Sequence, residues 1–505
     1  MIYSITIYML VSQALFAKAF VGPQGEYAWS IVQTSDGGYA VAGWTNSFGA
    51  GGDELLVLKL TSSGGLSWDK TFGGTAFDGD PSIIQTSDGG CAVAGYTNSF
   101  GAGVSDCLVL KLTGSGDLSW AKTFGGANYD DPYSIIQTSD GGYALAGYTN
   151  SFGAGGHDFL VLKLTGSGDL QWAKTFGGTL DDEAWSITQT SDGGYALAGW
   201  TWNFGARYQD FFVLKITSSG DFQWAKRFGG ADFDYAYSII QTSDGGYAVL
   251  GETKSFGAGR RDFLVLKLTG SGDLSWAKTF GGTNDDYPRS IIQTSDGGYA
   301  LAGWTLGFGA GNTDVLVLKL TGSGDLSWAK TFGGANYDYA RSIIQTSDGG
   351  YAVAGETGSF GGGGYNVLVL KIGPDGSYPG CVADCSPTVS TVTPDASSLI
   401  PSTSSLSLGA DCSPTITTPT LATTNACTPG DLGESDLLPG NRLTCSAFSG
   451  GLVFNAPADL VINIYSVDGR VAYSGQLQKG ENRISLDRGV YLWQAGTYRG
   501  KAAVR

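Results

Sequence analysis

The 505-residue chain has a single histidine, His157, in the glycine-rich stretch "GAGGHD" (153–158). A Ser-His-Asp system would rest on that one imidazole, and no G-x-S-x-G elbow accompanies it. There is no His-x-x-x-His pair and no Cys-Cys-His set for zinc. "GAGG" and "FGGGG" (360–364) lack the lysine and the strand–turn–helix setting of a phosphate loop. Glycoside hydrolysis needs only two carboxylates. Glu183, Glu252 and Glu356 differ from the residues at equivalent positions elsewhere in the chain, so they are the acids such a reaction would use. No residue is assigned as catalytic.

The residues that recur suit binding better. Trp29, Tyr133, Trp185 and Tyr237 are separated by multiples of 52 and stand just ahead of a short apolar run. Trp44, Tyr96, Tyr148, Trp200 and Trp304 keep the same spacing, as do Glu26, Asp78, Asp130, Asp182, Asp234, Asp286 and Asp338. Rings that stack on sugar faces, beside carboxylates that accept hydroxyl hydrogens, make a glycan-type surface. The same amphipathic rings suit protein contacts. Arg289 and Arg341 break the symmetry and offer grips for an anionic ligand. Asn128-x-Asp130, Asp232-x-Asp234 and Asn284-x-Asp286 are oxygen pairs of the kind hard cations use. That makes Asp130, Asp182, Asp234, Asp286 and Asp338 candidate Ca2+ ligands. The competing role is an Asx-type turn in which the carboxylate accepts backbone N–H groups. No loop gathers six oxygens, so no cofactor is expected beyond that candidate calcium.

These positions belong to a repeat. The aspartate of "SDGG" falls at 36, 88, 140, 192, 244, 296 and 348, always 52 apart. One unit reads as four strands: "SIIQT" (134–138), "YALAGYT" (143–149), "DFLVLKL" (158–164) and "LQWAKTF" (170–176). "SDGG" and "TGSGD" are the tight turns, with Gly and Asp supplying positive φ. A four-stranded unit of about 50 residues repeated radially is a propeller blade. The seventh unit lacks its fourth strand after residue 373. The missing piece stands near the start as "FAKAF" (16–20), in register with "WAKTF" (172–176). The expected fold is all-β: a seven-bladed propeller over 15–373, closed by residues 16–20, with no free edge. The recurring Phe set (Phe48 to Phe360) and the fourth-strand Trp set (Trp68 to Trp328) are expected to pack between blades. The third-strand lysines, Lys59 to Lys371, need acidic partners, and the turn aspartates (Asp36 and its copies) are candidates. The invariant turns share one face. The variable connections, such as "GGANYDDPY" (125–133) and "TNSFGAGGHD" (149–158), share the other, which is where a specific function could be placed.

The net charge of −17 comes with no basic stripe, which argues against nucleic acid. "MIYSITIYMLVSQALFAKAF" is short for a membrane span. Residues 1–14 read as a signal peptide with Ser12-Gln13-Ala14 at the cleavage site, and no integral span is expected. Five of the seven cysteines lie beyond the repeats, which suits disulfides in an oxidising compartment. Cys381/Cys385 and Cys412/Cys427 are plausible local pairs, though spacing does not fix connectivity. Residues 374–444 read as a Cys-containing, Ser/Thr/Pro-rich extended linker. Residues 445–505 read as a small β-sandwich-like domain. Its pieces "VINIYSVDGRV", "GENRISL", "GVYLWQ" and "GKAAV" resemble the C-terminal sorting domain (type A) of the type IX secretion system. The resemblance implies a Gram-negative-type envelope, recognition by secretion machinery, and a final place outside the cell or on its surface. The 52-residue units resemble secreted bacterial propeller repeats.

Two functional classes stand on this footing. One is a surface-binding propeller for a glycan or a cell-envelope partner. The other is a structural or spacer module. A glycosidase or lyase using rim carboxylates is third.

Overall fold

The computed structural model describes residues 15–378, apart from 50, 205–207 and 363, and separate strands between 382 and 504. The probable-signal segment 1–14 lies outside the described residues. Seven antiparallel sheets follow the repeat. In blade three the strands are Asp130–Gln137, Tyr143–Thr149, Asp158–Leu164 and Leu170–Gly177. The turns work as the sequence suggests: Gly141 takes φ 82° and Gly168 φ 81°. Asp140 accepts from Gly142 N at 3.0 Å and pairs with Lys163 at 2.9 Å. The bond from Thr138, then that from Lys163, holds its carboxyl at about 2. The Lys–Asp pair recurs in all seven blades, from Lys59–Asp36 to Lys371–Asp348. A cation inside a covered strand is thus neutralised by the turn beside it.

The ring closes as the sequence predicts. Phe16–Val21 pairs with Asn366–Ile372, and Phe16 stands opposite Lys371 as Trp172 stands opposite Lys163. Phe16 does the work of the fourth-strand tryptophans. It meets Tyr39 edge-on at 5.7 Å, where Trp120 meets Tyr143 at 5.9 Å. A Cβ on Gly64 would lie 2.6 Å from the Phe16 ring, just as one on Gly168 would lie 2.8 Å from Trp120. The ring of one blade therefore lies flat on the turn glycine of the next. Between blades the core is continuous. Phe159, Val161 and Phe176 of blade three pack with Leu197, Phe212 and Leu214 of blade four. The second and third strands are buried on both faces, so apolar residues occupy both of their sides.

Two expectations change. The first strand begins four residues earlier than "SIIQT", at Asp130, because Asp130–Pro132 pair with Gly147–Thr149 ahead of a bulge at Tyr133. Half of the supposed variable connection is therefore strand. The ring of blades also has outer edges, and they are covered. The stretch expected to be an extended linker supplies a fifth, antiparallel strand to every blade. Val382–Asp384 pairs with blade six, Thr388–Thr391 with five, Asp395–Leu399 with four and Ser402–Leu406 with three. Ala410–Asp411, Thr415–Thr417 and Ala422–Asn425 then pair with blades two, one and seven. The segment runs one full circuit against the blade order. Fourth strands present unpaired N–H and C=O groups, and an extended chain without helical propensity satisfies them.

Leu432–Arg505 forms a separate compact unit. It has a three-stranded sheet (Thr444–Phe448, Gly451–Ala456, Gly480–Ser485) and a four-stranded one (Val471–Leu477, Leu460–Ser466, Gly489–Ala495, Tyr498–Val504). No helix among the described residues is long and apolar enough to cross a membrane.

Candidate ligand site on the propeller axis

The first strands are the innermost, and neighbouring ones contact each other around the axis. Each carries a bulge at the same register: Trp29, Pro81, Tyr133, Trp185, Tyr237, Arg289 and Arg341. A bulge leaves its residue out of the ladder and re-aims the side chain. Here all seven line one axial pocket of about 100 Å³, partly open to solvent, together with Ser30, Ser82, Ser290 and Ser342. The frame around this position is constant. A serine follows every bulge residue, and its Oγ accepts from a backbone N–H of the next blade, as in Ile83 N to Ser30 Oγ at 3.2 Å. A second ring lies nearer the turns. Ser35 N donates to Gln85 Oε1 at 2.9 Å, and the series closes with Ser347 N to Gln33 Oε1 at 2.8 Å. The scaffold repeats, and the residue it aims at the axis does not.

Trp29, Tyr133, Trp185 and Tyr237, expected on the rim ahead of the first strand, thus stand on the channel wall within it. Tyr133 stacks on Trp185 at 4.2 Å, and Trp185 meets Tyr237 edge-on at 5.2 Å. The Arg289 guanidinium lies over Tyr237 at 4.2 Å and Trp304 at 4.7 Å. Arg341 lies over Trp304 at 4.8 Å and Trp29 at 4.3 Å. The result is a collar of rings and guanidinium planes running from blade three round to blade one. The two arginines differ. Arg341 donates Nε to Glu356 Oε1 at 3.0 Å and Nη2 to the same oxygen at 2.5 Å. Arg289 donates Nη1 to Pro288 O at a long 3.4 Å, and its Nε has no acceptor. Trp185 Nε1 likewise has none.

Blade two breaks the collar with Pro81, and beside it Asp80 is the one non-glycine residue with positive φ (49°) among the described residues. Its counterparts are Ala28, Pro132, Ala184, Ala236, Pro288 and Ala340. A left-handed conformation costs an ordinary residue about 1 kcal/mol, and such strain gathers at functional sites. Asp80 is half-exposed, yet protein surrounds it on most sides. Burial pushes its carboxyl up to about 6, with Arg341 opposing. Composition offered a signal for Asp80, as the one charged residue in a register of Ala and Pro.

The second aromatic register is dispersed. Trp44 stacks on Tyr27 at 3.8 Å, and Trp200 meets Tyr235 edge-on at 5.8 Å. Tyr96 is half-buried with a raised hydroxyl pKa, burial first and Asp80 next. Tyr148 is buried, donates to Asp131 at 2.7 Å and stacks on His157 at 4.3 Å. His157 Nδ1 lies 2.8 Å from Glu183 Oε1, and that bond, more than any other influence, raises the imidazole pKa. Only Trp304 joins the collar, and it is 7% exposed.

The acids proposed for calcium are enclosed. Asp130 accepts from Gly126 N at 2.7 Å and Ser151 Oγ at 2.6 Å, and also from Thr149 Oγ1. Asp182, Asp234, Asp286 and Asp338 accept the equivalent backbone N–H. These bonds tie the entering loop to the end of the second strand, while Oδ1 of Asp182, Asp234 and Asp286 is buried without a partner. No group of three or more His, Cys, Asp or Glu among the described residues could hold a metal. The next acidic register works the same way: Asp158 accepts from Ala154 N at 2.7 Å. In blade seven Asn366 reverses the polarity, donating to Phe360 O at 3.0 Å and Gly364 O at 3.1 Å. Sequence reasoning missed the apolar residues most open to water: Phe77, Val104, Tyr129, Leu180, Trp202, Leu306 and Tyr337. All seven lie in connections of the variable face.

Fold and site together define a seven-bladed β-propeller with an axial pocket. No family model matches the chain. The regulatory protein FlaEY of Caulobacter vibrioides is 28% identical over 185 residues, 34% of this chain and 19% of that protein, so the chain spans about a fifth of its length. Among solved structures, a protein of unknown function from Dyadobacter fermentans aligns with TM-score 0.41 and 14% identity, over 71% of this chain and 98% of that one. PorZ, a surface component of the type IX secretion system of Porphyromonas gingivalis, aligns with TM-score 0.26 and 10% identity, over 95% of this chain and 81% of that one. None of these likenesses bears on a ligand.

Proposed function

We propose that this protein is an exported, non-catalytic binding propeller that takes a glycan or another cell-envelope component at the mouth of its axial pocket. One observation carries the proposal: the axial bulge register varies as Trp, Pro, Tyr, Trp, Tyr, Arg and Arg, while the residues that frame it are nearly constant. A spacer module has no need of that contrast. The C-terminal unit, with its sorting-domain pieces between 461 and 504, is proposed as the address that brings this face outside the cell.

The test is a glycan array and an envelope extract probed with the wild type and a Trp29→Ala/Trp185→Ala double variant. Both rings are half-buried and packed in the collar, so melting of the variant is measured beside its binding, and loss of binding counts only where the variant stays folded. Binding by the wild type, lost in the variant, supports the proposal. No binding to either preparation, or equal binding by the variant, leaves the structural module.

A further inference from the structure

We infer that the axial pocket receives the uncharged terminal ring of a sugar chain, whose hydroxyls donate to Asp80 and accept from Arg289. This rests on the proposal that the pocket is the binding site, and it names the chemistry admitted there.

Shape is the first ground. The pocket is walled by residues of all seven blades around the axis. A chain lying across the face stays above such a pit, whereas a chain end can enter along the axis. The parts of Trp29, Tyr133 and Trp185 that reach the pocket give it an apolar wall beside its hydrogen-bonding groups.

Charge is the second ground. Two arginines suggest an anion, but their charge is largely met within the protein. Arg341 is committed to Glu356, whose side chain is 2% exposed. Glu252, 3% exposed, faces Arg261 at 3.6 Å and lies within electrostatic reach of Arg289. Asp80 adds a further carboxylate within reach of both Arg289 and Arg341. A ligand carboxylate or sulfate would meet these acids with little cationic charge to spare.

Hydrogen bonding is the third ground. Asp80 accepts no hydrogen bond among the described residues, while Arg289 Nε and Trp185 Nε1 lack acceptors. Asp80 adjoins the lining residue Pro81, and Arg289 and Trp185 line the pocket, so a ligand group that both donates and accepts would serve them, and a hydroxyl does both. Both nitrogens are shut off from water, so Arg289 must turn within the collar to offer its donor. Its bond to Pro288 O is long, at 3.4 Å, and the turn would also exchange its bond to the Tyr237 side chain.

The experiment uses the full chain on an array of oligosaccharides that share internal sequence and differ at the terminal residue: neutral, uronate or sulfated. The expected result is binding that follows the terminal residue and favours neutral ends. Asp80→Asn, which keeps the residue's tolerance of positive φ, should weaken it about tenfold or more, as should Arg289→Gln. Preference for uronate or sulfate ends overturns the inference and leaves the proposed site standing. So does binding that ignores the terminus, or Asp80→Asn and Arg289→Gln variants that bind like the wild type while Trp29→Ala/Trp185→Ala does not. No sugar binding at all overturns the inference, and the proposed site then stands or falls on binding to the envelope extract.

Discussion

The guanidinium of Arg341 lies 4.3 Å from the ring centre of Trp29, across the seam between the last blade and the first. The same side chain bonds Glu356 through two nitrogens, so the collar and the ion pair meet at that seam. Removing one partner of a buried, hydrogen-bonded pair costs about 3–5 kcal/mol, because the other is left uncompensated. Arg341→Ala should destabilise the propeller by the lower end of that range, since the arginine is 16% exposed. Arg341→Ala/Glu356→Gln should recover part of the loss. Denaturant unfolding measures both, and a single variant as stable as the wild type would remove Arg341 from the seam.

Closure itself is tested at Phe16. Its ring replaces a tryptophan against Tyr39 and the Gly64 turn. Phe16→Ala should cost about 3 kcal/mol or more, and Phe16→Trp should be tolerated. Deleting residues 15–20 should expose the third strand of blade seven and promote association in size-exclusion chromatography. A monomeric deletion variant that melts with the wild type would contradict the closure.

Stability should depend on pH in two opposite ways. Burial pushes Asp182 up to about 7 and Asp158, Asp234, Asp286 and Asp314 to about 6. Their folded pKa exceeds the unfolded value near 3.9. The folded state therefore holds more protons between about pH 4 and 7, and stability falls as pH rises through that window. At the turns, bonds from Thr86, Thr138 and Thr294, reinforced by lysines, hold Asp88, Asp140 and Asp296 at about 2. Their contribution is present above about pH 4 and lost as pH falls towards 2. Melting temperature should peak near pH 4–5 and decline on both sides. A monotonic rise up to pH 8 would contradict the burial of the first set.

The outer circuit predicts a pattern of amide exchange. Strands between Val382 and Asn425 that pair with fourth strands should exchange more slowly than the residues between them. A chain ending at Tyr378 should still fold but associate, because seven edges lose their cover. Uniformly fast exchange across 382–425 would contradict the pairing.

The two repeat cysteines offer a check on register. Cys91 pairs with Leu112 and Cys107 with Tyr96, so they stand at opposite ends of one hairpin. Both are buried free thiols, and burial raises the pKa of each, Cys91 to about 11. Thiol reagents should modify neither until the chain unfolds. A disulfide between them, found by mass mapping, would overturn the register.

The repeat made most of the fold legible, because a 52-residue period fixes strand count, turns and ring closure at once. The second and third strands of blade three fall where alternation and Gly turns place them. The bulge was not legible: Pro132-Tyr133 reads as connection, and only pairing with Gly147 makes it strand. That one register shift moved Trp29, Tyr133, Trp185 and Tyr237 from an outer rim to the axis. The outer circuit left a faint signal. Pro387, Pro394, Pro401 and Pro414 each stand directly before a strand, where a residue without an N–H is tolerated. The composition of that stretch otherwise suits an unpaired linker. The aromatic, acidic and arginine residues of the site were visible in the sequence. Which of them converge depended on the side of the strand each faces, and the bulge in each blade, one residue in six of them and two in blade two, decides that.

The central claim is that the axial collar is where a ligand sits. A crystal structure with the tightest-binding array oligosaccharide tests it most directly. The account predicts ligand density on the axis between Trp29, Tyr133 and Trp185, with a hydroxyl in hydrogen-bond contact with Asp80. Density on the flank at Trp44 or Trp200, with an empty collar, would contradict it.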